Sequence, residues 1–309
     1  METVLISGGT GMIGKALTEA LIERGYNVIV LTRKLPQLTL ANPHLSYAEW
    51  NIKNKTIEKT AIEKADYIIH LAGASVAEKR WTKKRKKEII DSRVESGKLI
   101  AESLKTINNK VKTVISISGI GWYGPDPVIP NSNPFKETDP VDNSFLGETC
   151  RLWEAAIEPV SFMGRRLVKF RTGIVLSNEG GVMKEFRKPL KFGFATILGN
   201  GKQIYSWIHI DDLVRMFLFA LENDKVEGVY NAVSSSPVSN KELVLQIAKL
   251  NKRKFFIPVY VPSFVLKIVL GELSIEVLKS ATVSCNKILS EGFIYQYPDV
   301  QSALQQLGE

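Results

Sequence analysis

The feature of this sequence that most restricts its fold is a glycine-rich stretch near the amino terminus. An apolar run, residues 4–6, is followed at once by glycines at positions 8, 11 and 14. A pattern typical of a helix comes next, with Leu17 and Leu21 four residues apart on one face. The order predicts a buried strand, a tight turn and the amino terminus of a helix.

Each glycine has a separate task in such a turn. The first permits the tight turn, the second lets backbone approach a pyrophosphate, and the third lets the helix pack closely on the strand. The helix that follows offers unpaired N–H groups and a positive dipole end to phosphates. The spacing predicts a dinucleotide site that includes Gly8, Thr10, Gly11, Met12, Ile13 and Gly14.

The end of the second predicted strand, residues 27–31, bears on the choice of cofactor. Folds that prefer NAD place a carboxylate here to bind the ribose 2′-hydroxyl. This chain has Thr32, Arg33 and Lys34 instead. Cationic donors suit a 2′-phosphate, so we expect NADP(H) rather than NAD(H). A basic pair that only faces solvent is the alternative interpretation.

Strands alternate with helices along the rest of the chain, which predicts an α/β fold with a doubly wound parallel sheet of the Rossmann type. We expect a dinucleotide-binding core of residues 1–176, completed by about 203–235. A smaller substrate lobe would comprise residues 177–202 and the carboxyl-terminal residues 236–309. Ligands bind beyond the carboxyl ends of such strands. The strand ends that meet there include Leu71, Ala72, Gly73, Ser118 and Thr172.

The sequence also bears on where the protein is located in the cell and on whether it contains disulfides or metal sites. No apolar run is long enough to span a bilayer, and the amino terminus has no signal-peptide pattern, so we expect a cytoplasmic protein with no membrane partner. The two cysteines, Cys150 and Cys285, give neither a disulfide framework nor a metal site. The three histidines also lack metal-ligand spacing.

The formal net charge is +9, and a basic run at residues 79–87 contributes much of it. This run is either a solvated helix face and loop or a patch that faces phosphate groups. No nucleic-acid-binding motif surrounds the run, so we expect no nucleic-acid partner.

Several segments together resemble one protein family. They are residues 7–14, 71–73, 79–82, 92–93, 121–124, 145–146, 150, 153–156, 171–176, 206–213, 292–293 and 298–299. The chain resembles the extended short-chain dehydrogenase/reductases, and specifically their atypical, epimerase-like branch with a family-specific carboxyl-terminal extension. The resemblance spans essentially the whole chain.

The resemblance implies an NADP(H) site. It implies that Thr32 and Arg33 lie at the adenosine ribose phosphate and that Leu71 and Ala72 lie along the cofactor. It further implies contributions from a helix through Glu88 and Arg93, and from Val175 near the nicotinamide.

The catalytic pair of the wider family is missing. The usual Tyr-x-x-x-Lys pair aligns with Leu146 and Cys150, and a neutral thiol supplies no fixed positive charge. Ser118 and Tyr123 remain as candidate proton-transfer groups, although either could instead have a purely structural role. Glu148, on the same predicted helix, is a weaker candidate. For His209 we expect a structural role, with Asp211 or Asp212 as the cap of the helix that follows.

Two functions therefore remain open. The first is an NADP(H)-dependent, epimerase-like oxidoreductase acting on a small substrate such as a nucleotide sugar or another anion. The second is a non-catalytic NADP(H)-binding sensor or partner-binding protein, which the loss of the Tyr/Lys pair favours. The sequence leaves the oligomeric state open between a monomer and a homodimer.

Overall fold

A computed structural model of the chain describes residues 1–36, 42–250 and 255–308. The strands are β1 Thr3–Ser7, β2 Asn27–Thr32, β3 Leu45–Asn51, β4 Thr56–Ile57, β5 Tyr67–His70, β6 Thr113–Gly119, β7 Arg166–Thr172, β8 Ile174–Leu176, β9 Phe194–Leu198, β10 Ile204–Tyr205, β11 Trp207–His209, β12 Gly228–Ala232, β13 Val238–Ser239 and β14 Ile257–Val261.

The helices alternate with these strands through the first two thirds of the chain and dominate its end. They are α1 Met12–Glu23, α2 Lys59–Lys64, α3 Lys83–Thr106, α4 Phe145–Ile157, α5 Gly181–Leu190, α6 Ile210–Glu222, α7 Asn240–Leu250, α8 Ser263–Leu270, α9 Leu273–Leu278, α10 Asn286–Ser290 and α11 Val300–Gln306.

The main sheet has eight strands in the order β12-β7-β6-β5-β1-β2-β3-β4. All neighbouring strands from β12 to β3 run parallel, and only β4 is antiparallel to its neighbour. From β1 the chain continues to β2 and β3 on one side of β1, and then returns to β5 on the other side of β1. The topological switch point therefore lies between β1 and β5. The predicted doubly wound parallel sheet is confirmed.

Alternation along β1 explains how both faces of the sheet are covered. Val4 and Ile6 are fully buried with Leu17 of α1 and Leu213 of α6 on one face. Leu5 points to the other face, where side chains of α2 and α3 cover it. Complete burial of each such aliphatic side chain stabilises the fold by about 1.5–3 kcal/mol.

A third core lies between the later elements. Side chains of α5, β9, α7 and α11 pack together there, around Trp207 of β11. Val283 and Phe293, by contrast, pack into the core of the large sheet although they belong to the carboxyl-terminal segment. The boundary between the dinucleotide-binding core and the substrate lobe stays a prediction. Residues 283–293, which belong to the predicted lobe, lie against the large sheet.

Two extended segments are each divided into two strands. Ser206 separates β10 from β11, and its hydroxyl donates to the Ala281 carbonyl and accepts from the Val283 N–H. Gly173 separates β7 from β8, and a Cβ there would lie 2.4 Å from the Ser206 carbonyl oxygen. The two breaks therefore occur where these segments cross at close range.

Among the described residues, no helix is long and apolar enough to cross a membrane. The same residues contain no cluster of three or more histidine, cysteine or acidic side chains that could hold a metal ion.

Candidate dinucleotide site

The glycine turn is packed too tightly for larger residues at positions 8 and 14. Gly8 has a φ of +79°, and a Cβ there would lie 2.9 Å from the Ala72 amide nitrogen. A Cβ on Gly14 would lie 2.3 Å from the Gly8 carbonyl oxygen, which accepts a hydrogen bond from the Gly11 N–H at 3.1 Å. These contacts bring the start of α1 against the end of β5.

The amino terminus of α1 is open toward the groove above the sheet. Thr10 and Gly11 are exposed, and Met12 begins the helix. In the described part of the chain no side chain caps this helix, and its first turn has no acidic residue. The first N–H groups therefore have the arrangement that binds a pyrophosphate.

The end of β2 presents an exposed cation beside this turn. A Cβ on Gly9 would meet the Val30 side chain at 2.8 Å, so the turn lies directly over β2. The Thr32 hydroxyl donates to the Lys34 carbonyl at 2.9 Å and fixes the chain that follows the strand. Arg33 is exposed and has no hydrogen bond or ion pair within residues 1–36, 42–250 and 255–308.

The segment after β5 is held from α3. The Arg93 guanidinium donates to the Ala74 carbonyl at 2.9 Å, and a Cβ on Gly73 would lie 3.0 Å from the Arg93 Cζ. The Ser92 hydroxyl accepts from the Ala74 N–H. Burial lowers the pKa of Arg93 to about 10, so the group stays cationic at neutral pH. Leu71 and Ala72, just before this clamp, border the glycine turn.

Glu88 lies further out on α3. Its carboxylate pairs with the guanidinium of Arg85 at 2.7 Å, which holds the pKa of Glu88 below its usual value. Arg85 is buried, and its Nε has no hydrogen-bond partner among the described residues. Glu88 therefore contacts Arg85, whereas Arg93 contacts the segment after β5.

A neutral histidine joins β1, β5 and α3 beneath the site. His70 is fully buried, with its Nδ1 2.6 Å from the Ser7 hydroxyl and its Nε2 3.3 Å from the Ser96 hydroxyl. Burial, with a smaller effect from nearby Arg93, lowers the pKa of His70 to about 3. The imidazole is therefore a neutral structural group at physiological pH.

Ser118, at the end of β6, belongs to a buried ion-pair network. Its hydroxyl donates to the Glu154 Oε1 at 2.9 Å. Glu154 in turn accepts two hydrogen bonds from Arg171 of β7, at 2.8 and 3.0 Å. All three side chains are at least nine-tenths buried. The Arg171 guanidinium also lies 3.6 Å from the centre of the Trp122 ring.

Tyr123 completes this network from the other side. It is fully buried, and its hydroxyl donates to the Asn231 Oδ1 at 2.7 Å and accepts from Arg171 at 3.1 Å. Its ring stacks on Phe135 with the centroids 5.3 Å apart. Burial raises the pKa of Tyr123 to about 12. Both predicted proton-transfer groups, Ser118 and Tyr123, thus have their hydroxyls directed into the protein.

The two positions where the wider family has Tyr and Lys hold uncharged side chains here, Leu146 and Cys150. The Cys150 thiol donates to the Gly119 carbonyl at 3.4 Å, and burial raises the pKa of Cys150 to about 11. Leu146 packs against Gly121. Glu148, the weaker candidate, lies on the surface in a two-point pair with Arg151. No side chain at position 146 or 150 supplies a charge.

The last strand ends lie on the same side of the sheet. Thr172 ends β7, and Val175 of β8 follows the crossing at Gly173. A Cβ on Gly181, at the start of α5, would lie 3.4 Å from the Val175 carbonyl oxygen and 3.8 Å from the Met12 side chain. Met12 and the Val175 carbonyl therefore both lie beside Gly181 at the start of α5.

The structure places the predicted cofactor residues of the strand ends along one edge of the sheet, after β1, β2 and β5 and at the ends of β6 and β7, whereas Glu88 and Arg93 lie on α3 and Val175 lies on β8. Sequence reasoning missed the pairing of Glu154 with Arg171 and the part that Asn231 has in it. The signal available was the motif match at residues 153–156 and 171–176, which contains both charges but does not pair them.

His209 has the structural role expected of it, but the predicted cap was wrong. The cap of α6 is His209 itself, whose Nδ1 accepts from the Asp211 N–H at 3.2 Å. Asp212 is fully buried and accepts from the N–H groups of Gln296 and Tyr297. The aspartate therefore fixes the carboxyl-terminal segment instead of capping the helix.

Comparison with known proteins accounts for nearly the whole chain. Residues 4–232 match the NAD dependent epimerase/dehydratase family, and residues 261–307 match a domain of unknown function, DUF1731. An epimerase family protein of Staphylococcus saprophyticus is 35% identical over 307 residues, covering 99% of each chain. A relative from Staphylococcus aureus is 33% identical over 307 residues, again covering 99% of each chain.

Solved structures agree in fold. Human epimerase family protein SDR39U1 (isoform 2), crystallised with NADPH, is 29% identical with a TM-score of 0.84, covering 99% of both chains. A nucleoside-diphosphate sugar epimerase from Corynebacterium glutamicum is 29% identical with a TM-score of 0.76, covering 98% of this chain and 57% of that one. The family resemblance expected from the sequence is confirmed: the chain belongs to the NAD dependent epimerase/dehydratase family.

Proposed function

We propose that this protein binds NADP(H) in preference to NAD(H). The observation that carries the proposal is Arg33, an exposed guanidinium without a partner in the described structure, at the end of β2 and beside the glycine turn. A 2′-phosphate is a dianionic acceptor that suits such a group, whereas a bare ribose hydroxyl gains little from it. The human relative crystallised with NADPH supports the same choice.

The variant Arg33→Asp tests this preference. Replacing the cation by a carboxylate should weaken NADPH binding by about ten- to a hundredfold, as expected for loss of a charged hydrogen bond. It should leave NADH binding unchanged or improve it. Arg24→Asp is the matched control, because Arg24 is exposed at the opposite end of α1. Unchanged NADPH affinity in Arg33→Asp would refute the assignment.

We further propose that the protein is an oxidoreductase of the epimerase-like type acting on a small substrate, with nucleotide sugars and other anions as the class to test first. A bound nicotinamide would supply or accept the hydride. The chain's own contribution is to hold the dinucleotide along residues 8–14 and 71–73. Ser118 is the group we propose for proton transfer, with Glu154 accepting from its hydroxyl at rest. Tyr123 holds Arg171 and thereby orients Glu154.

A second function is favoured by one specific observation. The hydroxyls of Ser118 and Tyr123 are both engaged inside the buried network, and Leu146 and Cys150 supply no acid or base. A protein that binds the dinucleotide without turning over a substrate, as a sensor would, needs none of these groups. The same groove would then report the supply of NADP(H) to a partner.

One experiment separates the two functions. Purified protein with NADPH is incubated with a panel of carbonyl compounds and sugar nucleotides, following oxidation of the cofactor and product stereochemistry. An enzyme should lose turnover in Ser118→Ala while NADPH affinity is kept. Ser116→Ala is the matched control, since that serine also lies buried on β6 but does not contact Glu154. Tight NADPH binding without turnover across the panel would favour the sensor.

A further inference from the structure

Helix α8 exposes large apolar side chains to solvent. Phe264, Ile268 and Val269 are 65%, 68% and 64% exposed, in a helix of eight residues. Leu266 is buried and anchors the other side of the helix. Phe264 and Ile268 are one turn apart and share a face. Single exposed apolar residues are common on proteins, but a helix face made of them indicates contact with another surface.

The strand that leads into α8 is similarly exposed. Every residue of β14 except the last is exposed, and none of the five is charged. β14 pairs in parallel with β9, which places Ile257 opposite Phe194. Both of these side chains are more than two-fifths exposed. The apolar surface thus continues from α8 back along its connecting strand.

Cations border this apolar helix. Arg80 lies against the turn after α8, because a Cβ on Gly271 would be 2.6 Å from the Arg80 Nε. Lys86 forms an ion pair with Glu272, so the amino terminus of α3 adjoins the same turn. Lys83 and Lys84 are exposed on this first turn of α3, and neither has an ion pair in the described part of the chain. Lys267 is exposed on α8 itself.

We propose that α8, together with the cations at the start of α3, binds the surface of a lipid bilayer that contains anionic lipids. An apolar helix face lying flat in the interface, flanked by Lys and Arg, is the arrangement that such surfaces bind. The net charge of +9 adds attraction at longer range. This surface lies outside the proposed cofactor groove, and the proposal does not depend on the protein's catalytic activity.

Charge decides among the possible occupants. A second copy docked through the same face would bring two sets of exposed cations together, which costs free energy. A nucleic acid would match the cations but would leave Phe264 and Ile268 without a partner. An anionic bilayer satisfies both features. This proposal departs from our expectation that the protein has no membrane partner. That expectation is based on the lack of a membrane-spanning segment, which a protein that binds only the bilayer surface does not need.

The test is co-sedimentation of the full chain with vesicles. Wild-type protein should sediment with vesicles of phosphatidylcholine and phosphatidylglycerol and remain in solution with phosphatidylcholine alone. The double variant Phe264→Ser, Ile268→Ser should lose about tenfold or more in partitioning. Lys83→Glu, Lys84→Glu should lose a similar factor, and added salt should weaken wild-type binding.

Matched controls distinguish binding through this surface from non-specific binding to vesicles. Phe162→Ser removes an 84% exposed aromatic group elsewhere, and Lys53→Glu, Lys105→Glu changes the charge away from α8. Both should partition as the wild type does, and all variants should keep the wild-type unfolding temperature.

Three outcomes would overturn the proposal. The first is no sedimentation of the wild type, and the second is equal sedimentation of the α8 variants. The third is that the protein does not bind vesicles but forms a homodimer or a nucleic-acid complex, and that the double variant Phe264→Ser, Ile268→Ser abolishes this complex.

Discussion

Arg33 and Cys150 affect the proposed site in opposite ways. Arg33 offers an exposed positive charge where a phosphorylated ribose would lie, which favours binding. Cys150 replaces the expected lysine with a buried thiol, whose pKa of about 11 keeps it neutral. Leu146, at the position where the wider family has Tyr, has no group that could transfer a proton. At the level of single residues, the features that favour dinucleotide binding are present and the usual proton-transfer groups are not.

His70 makes stability depend on acidity. The unfolded chain protonates this imidazole below about pH 6.5, whereas the folded chain keeps it neutral down to about pH 3. Stability is therefore lost as the pH falls through this window. Between pH 7 and pH 5 the contribution of His70 to the loss is about 2 kcal/mol.

The variant His70→Asn checks this. The variant lacks the titrating group. Between pH 7 and pH 5 its free energy of unfolding should therefore fall by about 2 kcal/mol less than that of the wild type. Urea unfolding at a series of pH values measures the slope. A slope identical to that of the wild type would mean that His70 does not cause the acid sensitivity.

At the scale of elements, α4 allows the same ion pair to be compared in two environments. Glu154 and Glu148 each make a two-point contact with an arginine, Arg171 and Arg151 respectively. The first pair is buried and the second is half exposed. Burial removes the water that would otherwise solvate a partner left alone.

Glu154→Ala should therefore destabilise the protein by about 3–5 kcal/mol, since it leaves the Arg171 charge buried without its carboxylate. Glu148→Ala should leave the free energy of unfolding close to that of the wild type, because water replaces the lost partner. Chemical denaturation of both variants measures the difference. Equal losses of stability would show that burial of the Glu154–Arg171 pair does not determine its contribution.

The glycine turn allows a second comparison. A Cβ on Gly14 would collide with the Gly8 carbonyl at 2.3 Å, whereas a Cβ on Gly11 would meet that oxygen at 3.4 Å. Gly14→Ala should lower stability by about 1–3 kcal/mol, and it should weaken NADPH binding. Gly11→Ala should fold with wild-type stability and lose affinity only. Wild-type stability in Gly14→Ala would show that the turn is looser than described.

Element types were easier to predict than their ends and junctions. The β1–turn–α1 unit follows directly from apolar runs and glycine spacing. The cap of α6 does not, because aspartate is the stronger sequence signal, yet Asp212 is drawn inward by the chain at Gln296 and Tyr297. The break at Ser206 likewise depends on hydrogen bonds to residues 281 and 283, which are distant in sequence.

At the scale of the whole molecule, two aspartates, Asp126 and Asp212, hold the carboxyl-terminal segment against the rest of the fold. Asp126, in the loop after β6, accepts from the Thr282 N–H and from the hydroxyls of Thr282 and Ser280, all at 2.8–2.9 Å. Asp212 does the same for residues 296 and 297. These contacts explain why residues 283–293 pack against the sheet.

Asp126→Ala should therefore loosen this attachment. Amide hydrogen exchange at Thr282 and Val283 should become faster by about tenfold or more, because their segment loses its fixed acceptors. Asp139→Ala is the control, since that carboxylate accepts only a local N–H, from Lys136, in the structure described. Unchanged exchange at these two amides would show that Asp126 does not hold the segment.

The sequence was sufficient for the fold class and for the strand ends that form the groove, because both follow from local patterns. The buried network was not predictable in the same way. Glu154 and Arg171 lie 17 residues apart on a helix and a strand, and they meet because α4 packs beside β6, which pairs with β7. The burial of Tyr123 depends equally on Phe135 and Asn231, which local spacing does not connect to it.

We propose that the groove above β1 and β2 selects a phosphorylated dinucleotide. Isothermal titration of the wild-type protein with NADPH and NADH under the same conditions measures this directly. We expect NADPH to bind at least about tenfold more tightly than NADH, because Arg33 would bind the 2′-phosphate. Equal affinities, or tighter binding of NADH, would contradict it.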